Sequence, residues 1–216
     1  MTEPVLITIL GRHHAGTEEA YGAYMKGSVP LLQRYSVGIE AVGPGMGVEG
    51  ITTETWPINI VLSFPDADHA DGFFLDPEYV HIKETYRDVA YADIHLALFT
   101  PEATIGERSP GALSITQTEI ADRGAYDELL AAIGPLAREA GVSLFARGEG
   151  YGRAYTSETW EVNTMLAYRD ASAMAAFLSD PRVQALSTLR ARAYGRHRIT
   201  TSAPRAPRVE ANVERP

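Results

Sequence analysis

The sequence predicts an α+β fold in which two βαββαβ modules follow one another in a single chain. The line TTETWPINIVLSFPD (52–66) returns as TSETWEVNTMLAYRD (156–170), with seven of fifteen positions identical. Each copy also alternates strand-like and helix-like runs in the same order, which is typical of a repeated supersecondary unit. We therefore expect a first ferredoxin-like module over 1–102, a second over 111–202, and a flexible C-terminal arm over 203–216, which is rich in proline and arginine.

Within each copy, periodicity and turn residues place the elements. In the first copy, VLITILG and VGIEAVG are β-rich runs, and the segment between them has apolar residues at helical spacing. Asp66 is a predicted helix N-cap, and Asp76-Pro77 predicts a second helix start with proline at its first position. The predicted elements are strands at 5–11, 37–43, through Trp56 and Leu62, and at 94–99, with a helix from Thr17 to about Tyr35; the second copy repeats them at 112–118, 122–140, 142–147, 154–168, 171–178, 181–193 and 196–201.

The order predicts a four-stranded sheet with helices on one face only. Residues 56–62 are apolar on both sides of their strand, and a strand of this kind needs cover on both faces. Two modules supply that cover when their sheets pack against each other. The glycine-rich segments GPGMG (43–47) and GEGYG (148–152) have the wrong spacing and context for a phosphate-binding loop, so we interpret them as hairpin turns.

Composition limits the class of function. The 216-residue chain has ordinary globular composition, a formal net charge of −9 and no cysteine. An acidic chain without a basic cluster argues against nucleic acid as a partner. Without cysteine there are no disulfides or thiolate ligands, and no apolar run or leader predicts membrane insertion or export. We expect a cytoplasmic protein with a small-molecule substrate, for which a monomer suffices as a pseudo-dimer, although a higher homo-oligomer stays open.

The first copy resembles a known family. The segments YGAYMKGSVPLL, GVEG and WPINIVLSFPDADHADGFFLDPEYVHIK resemble DUF1330-type proteins of the dimeric α/β-barrel superfamily. The second copy resembles them less, since it keeps YRD and DP but lacks the tyrosine after DPE. The resemblance implies an intramolecular dimeric α/β barrel with a cavity between its sheets. The wider superfamily includes cofactor-free monooxygenases and lactone isomerases.

Polar residues present in only one copy are the better candidates for chemistry, because residues shared by both copies serve the common fold. Five of the six histidines lie in the first copy. Histidine moves protons near neutral pH, so His13, His14 and His95 are the candidate catalytic residues. A structural role in the last strand is the competing interpretation for His95. A metal at His13 and His14 is a weaker alternative, and the prediction is that no metal and no cofactor are used.

Shared polar residues are candidates for substrate binding. Asn59 and Asn163 each lie three residues after a tryptophan, and a buried amide must be hydrogen-bonded, either to the fold or to a substrate oxygen. Tyr79 belongs to a helical stripe with Ile82, Tyr86 and Val89 that we interpret mainly as core. The candidate binding residues are Trp56, Asn59, Tyr79, Arg87, Trp160 and Asn163.

These observations favour a cofactor-independent enzyme of the isomerase, cyclase or monooxygenase type. Its substrate would be a small apolar or aromatic metabolite, held in a cavity of the barrel. The alternatives are a non-catalytic small-molecule binding protein and a structural oligomer without a ligand. The enzyme hypothesis fails for the space between the sheets if Trp56, Trp160 and their neighbours fill it.

Overall fold

The computed structural model describes residues 3–102 and 110–203. The expected C-terminal arm lies, apart from Ala203, outside the described residues, as does most of the connector between the two copies. In the described part no helix is long and apolar enough to cross a membrane.

Nine strands and eight α-helices form the described structure, and the first and second copies contain them in the same general order. The first half contains β1 (Val5–His13), α1 (Glu18–Arg34), β2 (Gly38–Gly43), β3 (Gly45–Met46), β4 (Ile58–Phe64), α2 (Ala67–Leu75), α3 (Pro77–Ile82), a π-helical turn (Lys83–Arg87), α4 (Asp88–Ala90) and β5 (Tyr91–Pro101). The second half contains β6 (Ala112–Ile120), α5 (Arg123–Glu139), β7 (Ser143–Tyr151), β8 (Val162–Tyr168), α6 (Ala171–Leu178), α7 (Pro181–Gln184), α8 (Ser187–Ala193) and β9 (Tyr194–Ser202).

The predicted helix starts are confirmed in atomic detail. The Asp66 side chain accepts a hydrogen bond from the His69 N–H, and Asp76 accepts one from the Glu78 N–H. Asp170 and Asp180 do the same at α6 and α7. These caps satisfy backbone donors that a helix leaves unpaired in its first turn.

The predicted strands through the two tryptophans are too long. Strand β4 begins at Ile58 and β8 begins at Val162, so Trp56 and Trp160 lie in the segments before them. Each of these segments forms hydrogen bonds to a strand of the other half instead of extending β4 or β8. The Thr53 N–H donates to the Ile199 carbonyl at 3.0 Å, and the Ser157 N–H donates to the Leu96 carbonyl at 3.1 Å.

All nine strands belong to one antiparallel sheet with the order β2-β4-β1-β5-β7-β8-β6-β9-β3. The four strands of the first half and the corresponding four of the second are adjacent in equivalent orders, β2-β4-β1-β5 and β7-β8-β6-β9. The halves are joined where β5 pairs with β7 and where β3 pairs with β9. Strands β2 and β3, at opposite ends of the order, are separated in sequence by Pro44 alone.

Alternate residues of each strand point to different cores. On β1, Val5, Ile7 and Ile9 pack with α1, α2 and α3, while Leu6 belongs to a cluster that contains residues of both halves. We call this second cluster the inter-half core. It consists of Leu6, Ala41, Val61, Phe99, Leu113, Ile115, Phe145, Ala146, Met165 and Ala167, all buried. Two-sided burial of the strands, which the sequence predicted, is therefore confirmed.

Two glycines of the glycine-rich segments allow strands to approach each other closely. Gly45 pairs with Ser202 and Gly150 pairs with Phe99, at the two junctions between the halves. A Cβ atom at Gly45 would overlap the Trp56 carbonyl oxygen, and one at Gly150 would overlap that of Trp160. These segments are extended strand rather than hairpin turn, so the expectation of a turn was wrong at these two positions.

Truncation of Leu113 tests whether the inter-half core holds the two halves together. Leu113 is fully buried, whereas Leu75 is 56% exposed. We expect Leu113→Ala to lower the free energy of unfolding by about 2–5 kcal/mol, because it removes packed atoms and leaves a cavity. Leu75→Ala, the control, should change it by about 0.5 kcal/mol or less. Urea denaturation monitored by tryptophan fluorescence measures both, and equal losses in the two variants would contradict the assignment.

Candidate functional site in the helix–sheet cleft of the first half

The space between the inner strand faces is filled. The Asn59 amide donates to the Trp56 carbonyl at 2.8 Å, and the Gln117 amide donates to Thr8 Oγ1 and to Asn163 Oδ1, both at 3.1 Å. Both asparagines are buried among these partners and the inter-half core. Asn59 Oδ1 and Asn163 Nδ2 have no hydrogen-bond partner among the described residues, and neither asparagine lines a cleft described below, so a substrate-binding role for them stays a prediction.

The two tryptophans belong to an ionic cluster that links the halves. Arg198 donates to Glu54 at 3.0 Å and also to Glu158, so one guanidinium bridges the two copies of the ETW line. The Trp56 indole N–H donates to Glu54 at 2.8 Å. Its ring and that of Trp160 lie within 5.8 and 5.4 Å of the Arg198 guanidinium carbon, which suits cation–π attraction. We call Glu54, Glu158 and Arg198 the interhalf ion cluster; Trp56 and Trp160 support it and line neither cleft described below.

The structure does not bring the three candidate histidines together. His95 lies beside the interhalf ion cluster, with its ring 4.8 Å from that of Trp56 and Nδ1 3.5 Å from Glu158. It occupies the position in β5 that Arg198 occupies in β9. His14 is exposed, and His13 packs its ring against Tyr21 and Tyr91 at 4.2 and 4.6 Å. Burial lowers the pKa of His13, although nearby Glu18 opposes this. None of the three histidines lines either cleft described below, and their catalytic role stays a prediction.

A cavity lies instead between the helices and the sheet of the first half. We call it the tyrosine cleft; its volume is about 110 Å³. An apolar cavity of about 150 Å³ holds benzene, so the tyrosine cleft approaches the size that a single aromatic ring fills. Its walls are aliphatic and aromatic side chains, and its polar groups are hydroxyls. The lining residues are Ile9, Tyr24, Met25, Ser28, Leu32, Ile39, Val42, Ile60, Leu62, Phe73, Phe74, Tyr79, Tyr91 and Ile94.

Two tyrosines that line the tyrosine cleft have hydroxyls close to each other, and Arg87, which does not itself line the cleft, contacts one of them. The hydroxyls of Tyr24 and Tyr79 are 3.4 Å apart, and Arg87 Nη1 donates to the Tyr79 oxygen, also at 3.4 Å. Tyr79 is 2% exposed and Arg87 is 8% exposed. Both contacts are longer than the usual O–H···O distance of about 2.7–2.8 Å. These donors can therefore turn to an incoming oxygen atom without breaking a strong bond.

The charge states of this group follow from burial and proximity. Burial, reinforced by the neighbouring Tyr79, raises the pKa of Tyr24 well above its ordinary value. Burial likewise raises the pKa of Tyr91. Burial opposes the charge on Arg87, but the oxygens of Tyr79, Tyr24 and Asp88 together raise its pKa. Asp88 accepts from Arg87 Nε and Nη2 at 3.0 and 2.9 Å. At neutral pH the cleft thus offers neutral phenol donors at Tyr24 and Tyr91, and the Arg87 cation lies outside its lining, beside Tyr79.

A π-helical turn places Arg87 in this group. Arg87 lies eleven residues after Asp76, whereas its counterpart Arg190 lies ten residues after Asp180, so the first copy holds one additional residue. The extra residue is accommodated where the chain forms the π-helical turn Lys83–Arg87. Ile82 and Arg87, five residues apart, are both buried, while Tyr86 is 37% exposed. The predicted stripe of Tyr79, Ile82, Tyr86 and Val89 is therefore wrong beyond Ile82. Turns of this kind are frequent at functional sites.

The sequence interpretation identified Tyr79 and Arg87 but missed Tyr24 and Tyr91. A comparison of the two copies could have identified Tyr24, because its counterpart in the second copy is Leu129 and the hydroxyl is found only in the first copy. Tyr91 has a tyrosine counterpart, Tyr194, so the same comparison assigns it to the common fold. Ser28 is a further lining hydroxyl without a polar counterpart, since Ile133 replaces it.

A second cleft lies at the equivalent place in the second half, between α5, α8 and the sheet. Its volume is about 330 Å³. Three arginines line it: Arg138, Arg147 and Arg190. We call it the arginine cleft. Neither it nor the tyrosine cleft has a histidine or carboxylate among its lining residues in the described part of the chain.

Comparison with known proteins places the fold. Residues 111–201 match the family model described as DUF1330, a domain of unknown function. The resemblance to DUF1330 proteins is thus confirmed, and the match falls on the half in which the quoted motifs were weaker. No curated protein matches the sequence significantly.

Solved structures resemble the whole described chain at low identity. One is an anthrone oxidase-like protein, with a TM-score of 0.60 and 15% identity, over 95% of this chain and 92% of that one. Another is a mutant chlorite dismutase from Candidatus Nitrospira defluvii, with a TM-score of 0.57 and 10% identity, over 94% and 93%. At these identities the likeness establishes the fold alone.

Removal of Arg198 tests the structural role of the interhalf ion cluster. The Arg198 and Glu158 side chains are 8% and 11% exposed. Among the described residues, Arg198→Met leaves the largely buried Glu158 with only His95 Nδ1 nearby, at 3.5 Å, so we expect it to lower the free energy of unfolding by about 2–3 kcal/mol. Arg198→Met combined with Glu158→Gln should recover part of that loss. Arg182→Met removes an exposed ion pair with Asp180 and should cost about 1 kcal/mol or less. Additive effects of the Arg198 and Glu158 substitutions in denaturation curves would refute the coupling.

Proposed function

We propose that this DUF1330-like chain consists of two tandem ferredoxin-like modules, 1–102 and 111–202, closed into one intramolecular dimeric α/β barrel. Three observations support the proposal. The halves repeat one strand order, they pair with each other at both β5–β7 and β3–β9, and β2 runs almost directly into β3 across Pro44. One chain then supplies what two shorter chains would otherwise form as a dimer.

The function that the tyrosine cleft supports best is a cofactor-independent enzyme of the isomerase, cyclase or monooxygenase type. The observation that carries this proposal is the pair of Tyr24 and Tyr79 hydroxyls in a largely apolar cleft, with Arg87 donating to the Tyr79 oxygen from outside the lining. Apolar walls accept one ring of an aromatic metabolite, and the rest of a larger molecule lies toward the mouth. The substrate therefore needs one oxygen atom that can accept hydrogen bonds from these hydroxyls.

The chemistry that these donors favour is the formation of an enolate or phenolate. A ketone or phenol oxygen gains negative charge when a neighbouring C–H or its own O–H loses a proton. Phenol donors that face that oxygen, one of them polarised by the Arg87 guanidinium, stabilise the anion more than the neutral substrate, which lowers the barrier. The proton passes to solvent, because no histidine or carboxylate lines the cleft in the described residues.

An isomerase or cyclase would use the enolate directly. A monooxygenase of this type would transfer electrons from the enolate to dioxygen, without a cofactor. For an aromatic ketone with a benzylic CH₂ group, one dioxygen molecule converts the CH₂ to a second carbonyl and releases water. The carbon gains one oxygen and loses two hydrogens, while the other oxygen atom leaves as water. The anthrone oxidase-like neighbour makes anthrone a reasonable first probe of this chemistry.

The rival function is a carrier or sensor of small aromatic molecules. The absence of a histidine or carboxylate from the lining of the tyrosine cleft favours it, since a binding protein needs no proton acceptor. Both functions predict ligand binding, and only the enzyme predicts turnover.

Anthrone distinguishes the two functions. Without oxygen, deuterium exchange at its CH₂ group, followed by NMR, reports enolate formation; with oxygen, absorbance reports anthraquinone and an electrode reports oxygen uptake. We expect the protein to accelerate exchange, and Tyr79→Phe to reduce that acceleration on the order of 10²-fold, because it removes one direct donor while conserving volume. Arg87→Met should reduce it as well, because it removes the cation that donates to the Tyr79 oxygen.

Tyr86→Phe is the matched control for Tyr79→Phe. Tyr86 belongs to the π-helical turn but is exposed, so the same change there should leave exchange unaltered. Circular dichroism checks that the Arg87 variant folds. Binding of anthrone without faster exchange would sink the enzyme and leave the carrier. Equal effects of the Tyr79 and Tyr86 substitutions would remove the tyrosine cleft from the mechanism.

A further inference from the structure

The arginine cleft is the larger of the two helix–sheet clefts, and the sequence explains why. Its volume is about 330 Å³, against about 110 Å³ for the tyrosine cleft. At equivalent positions Tyr24 is replaced by Leu129 and Tyr79 by Val183, which removes two rings. On the sheet, the register equates Ile9 with Thr116 and Ile60 with Thr164. The same packing of helix on sheet therefore leaves more space and a more polar floor in the second half.

The charge on this cleft has one sign. Arg138, Arg147 and Arg190 line it, and the residues that line it in the described chain include no aspartate or glutamate. The chain as a whole carries a formal net charge of −9. A cleft lined by arginines and by no carboxylate favours an anionic ligand over a neutral one.

The three arginines differ in whether a protein carboxylate already accepts hydrogen bonds from their guanidinium groups. Arg147 donates from Nε and Nη2 to Glu102, at 3.1 and 2.7 Å. Arg190 forms no side-chain hydrogen bond or salt bridge with any described residue, although it is half-buried and in the cleft; Arg138, which is exposed, also forms none. A half-buried guanidinium without a protein acceptor is available to an external one.

The remaining walls select the body of the ligand. Leu129, Leu130, Ile133, Leu144 and Leu166 are apolar, and Leu144 is 48% exposed, so it lies where solvent reaches the cleft. Burial raises the pKa of Tyr194 to about 12 and also raises that of Tyr126, so both phenols are neutral donors at neutral pH. Hydroxyls of Thr116 and Thr164 complete the polar floor.

We infer that the arginine cleft is a second small-molecule site, which binds an organic carboxylate with an apolar body, and that Arg190 holds the carboxylate. A cleft of this volume lies within the range of small-molecule sites. Planar guanidinium and carboxylate groups pair through two parallel hydrogen bonds, while the aliphatic walls cover the hydrocarbon part. The site does not depend on the chemistry of the tyrosine cleft, since the two clefts lie in different halves of the chain.

Calorimetric titration with 1-naphthoate tests this site, with naphthalene-1-carboxamide as the neutral ligand of the same shape. We expect the acid to bind and the amide to bind at least ten-fold more weakly. Arg190→Gln should weaken binding of the acid by about ten- to hundred-fold, the range for loss of one charge-assisted hydrogen bond. Leu129→Trp, which fills the cleft while all three arginines remain, should abolish binding.

Arg192→Gln is the matched control, because Arg192 also lies on α8 but is exposed and pairs with Asp122. It changes the net charge equally and should leave the affinity for 1-naphthoate unchanged. Equal weakening by the Arg190 and Arg192 substitutions would mean general charge attraction and overturn the site. So would equal affinity for the acid and the amide, unaltered binding in Leu129→Trp, or no binding of the acid at millimolar concentration.

Discussion

Most of this structure follows from one constraint: its strands are apolar on both faces, so both faces must be covered. The helices cover one face, and the inner face of the other half covers the second. Burying side chains of both halves in one cluster gives the greatest gain when the packing is dense, at about 25 cal/mol for each Å² of apolar surface removed from water. The two clefts described above lie instead under the helices, where the packing differs between the halves.

The repeated ETW segments (54–56 and 158–160) belong to the contact between the two halves rather than to a reaction centre. Each copy contributes a glutamate to one arginine, and each sends its segment across to the other half. The ion cluster is not symmetric, because β9 supplies Arg198 where β5 supplies His95. One guanidinium between two carboxylates satisfies both, whereas two arginines at the same place would repel each other. The asymmetry at these equivalent positions is thus an electrostatic solution to bringing two identical acidic motifs together.

Sequence patterns predicted the elements well where the determinant is local. Aspartate caps, proline at the first helical position and apolar alternation are read within one turn or one strand, and the structure confirms them at Asp66, Asp76, Asp170 and Asp180. Patterns failed where the determinant is tertiary. The alternation of apolar and polar residues around Trp56 is typical of a strand, but the segment before Ile58 bonds to Ile199 of the second half instead of extending β4. Likewise, the helical stripe through Tyr86 assumes 3.6 residues per turn, and one inserted residue changes that period.

Candidate site residues follow the same division. The histidines were candidates because of their chemistry, but the chemistry of a side chain does not determine its position in the fold. His95 lies beside the interhalf ion cluster, and His14 lies at the surface. The comparison of the two copies carried more information than residue type, because it applies to positions that share an environment. The comparison identifies the differences between Tyr24 and Leu129 and between Tyr79 and Val183, and the residue inserted before Arg87.

The two clefts show what one inserted residue and a few exchanged side chains can change on a shared frame. In the first half the π-helical turn buries Arg87 against Asp88 and the Tyr79 hydroxyl, so its charge is held in place next to a phenol that lines a space close to one ring in size. In the second half the counterpart Arg190 lies on α8, after a turn at residues 185–186 instead of a π-helical turn. It has no carboxylate partner among the described residues and lines a cleft of about three times the volume. A guanidinium that is already neutralised suits a ligand that becomes anionic only during a reaction, since it gains little by binding an anion in the ground state. An unpaired guanidinium suits a ligand that is anionic from the start. The difference in pairing between Arg87 and Arg190 is therefore the physical ground for assigning anion stabilisation to the tyrosine cleft and carboxylate binding to the arginine cleft.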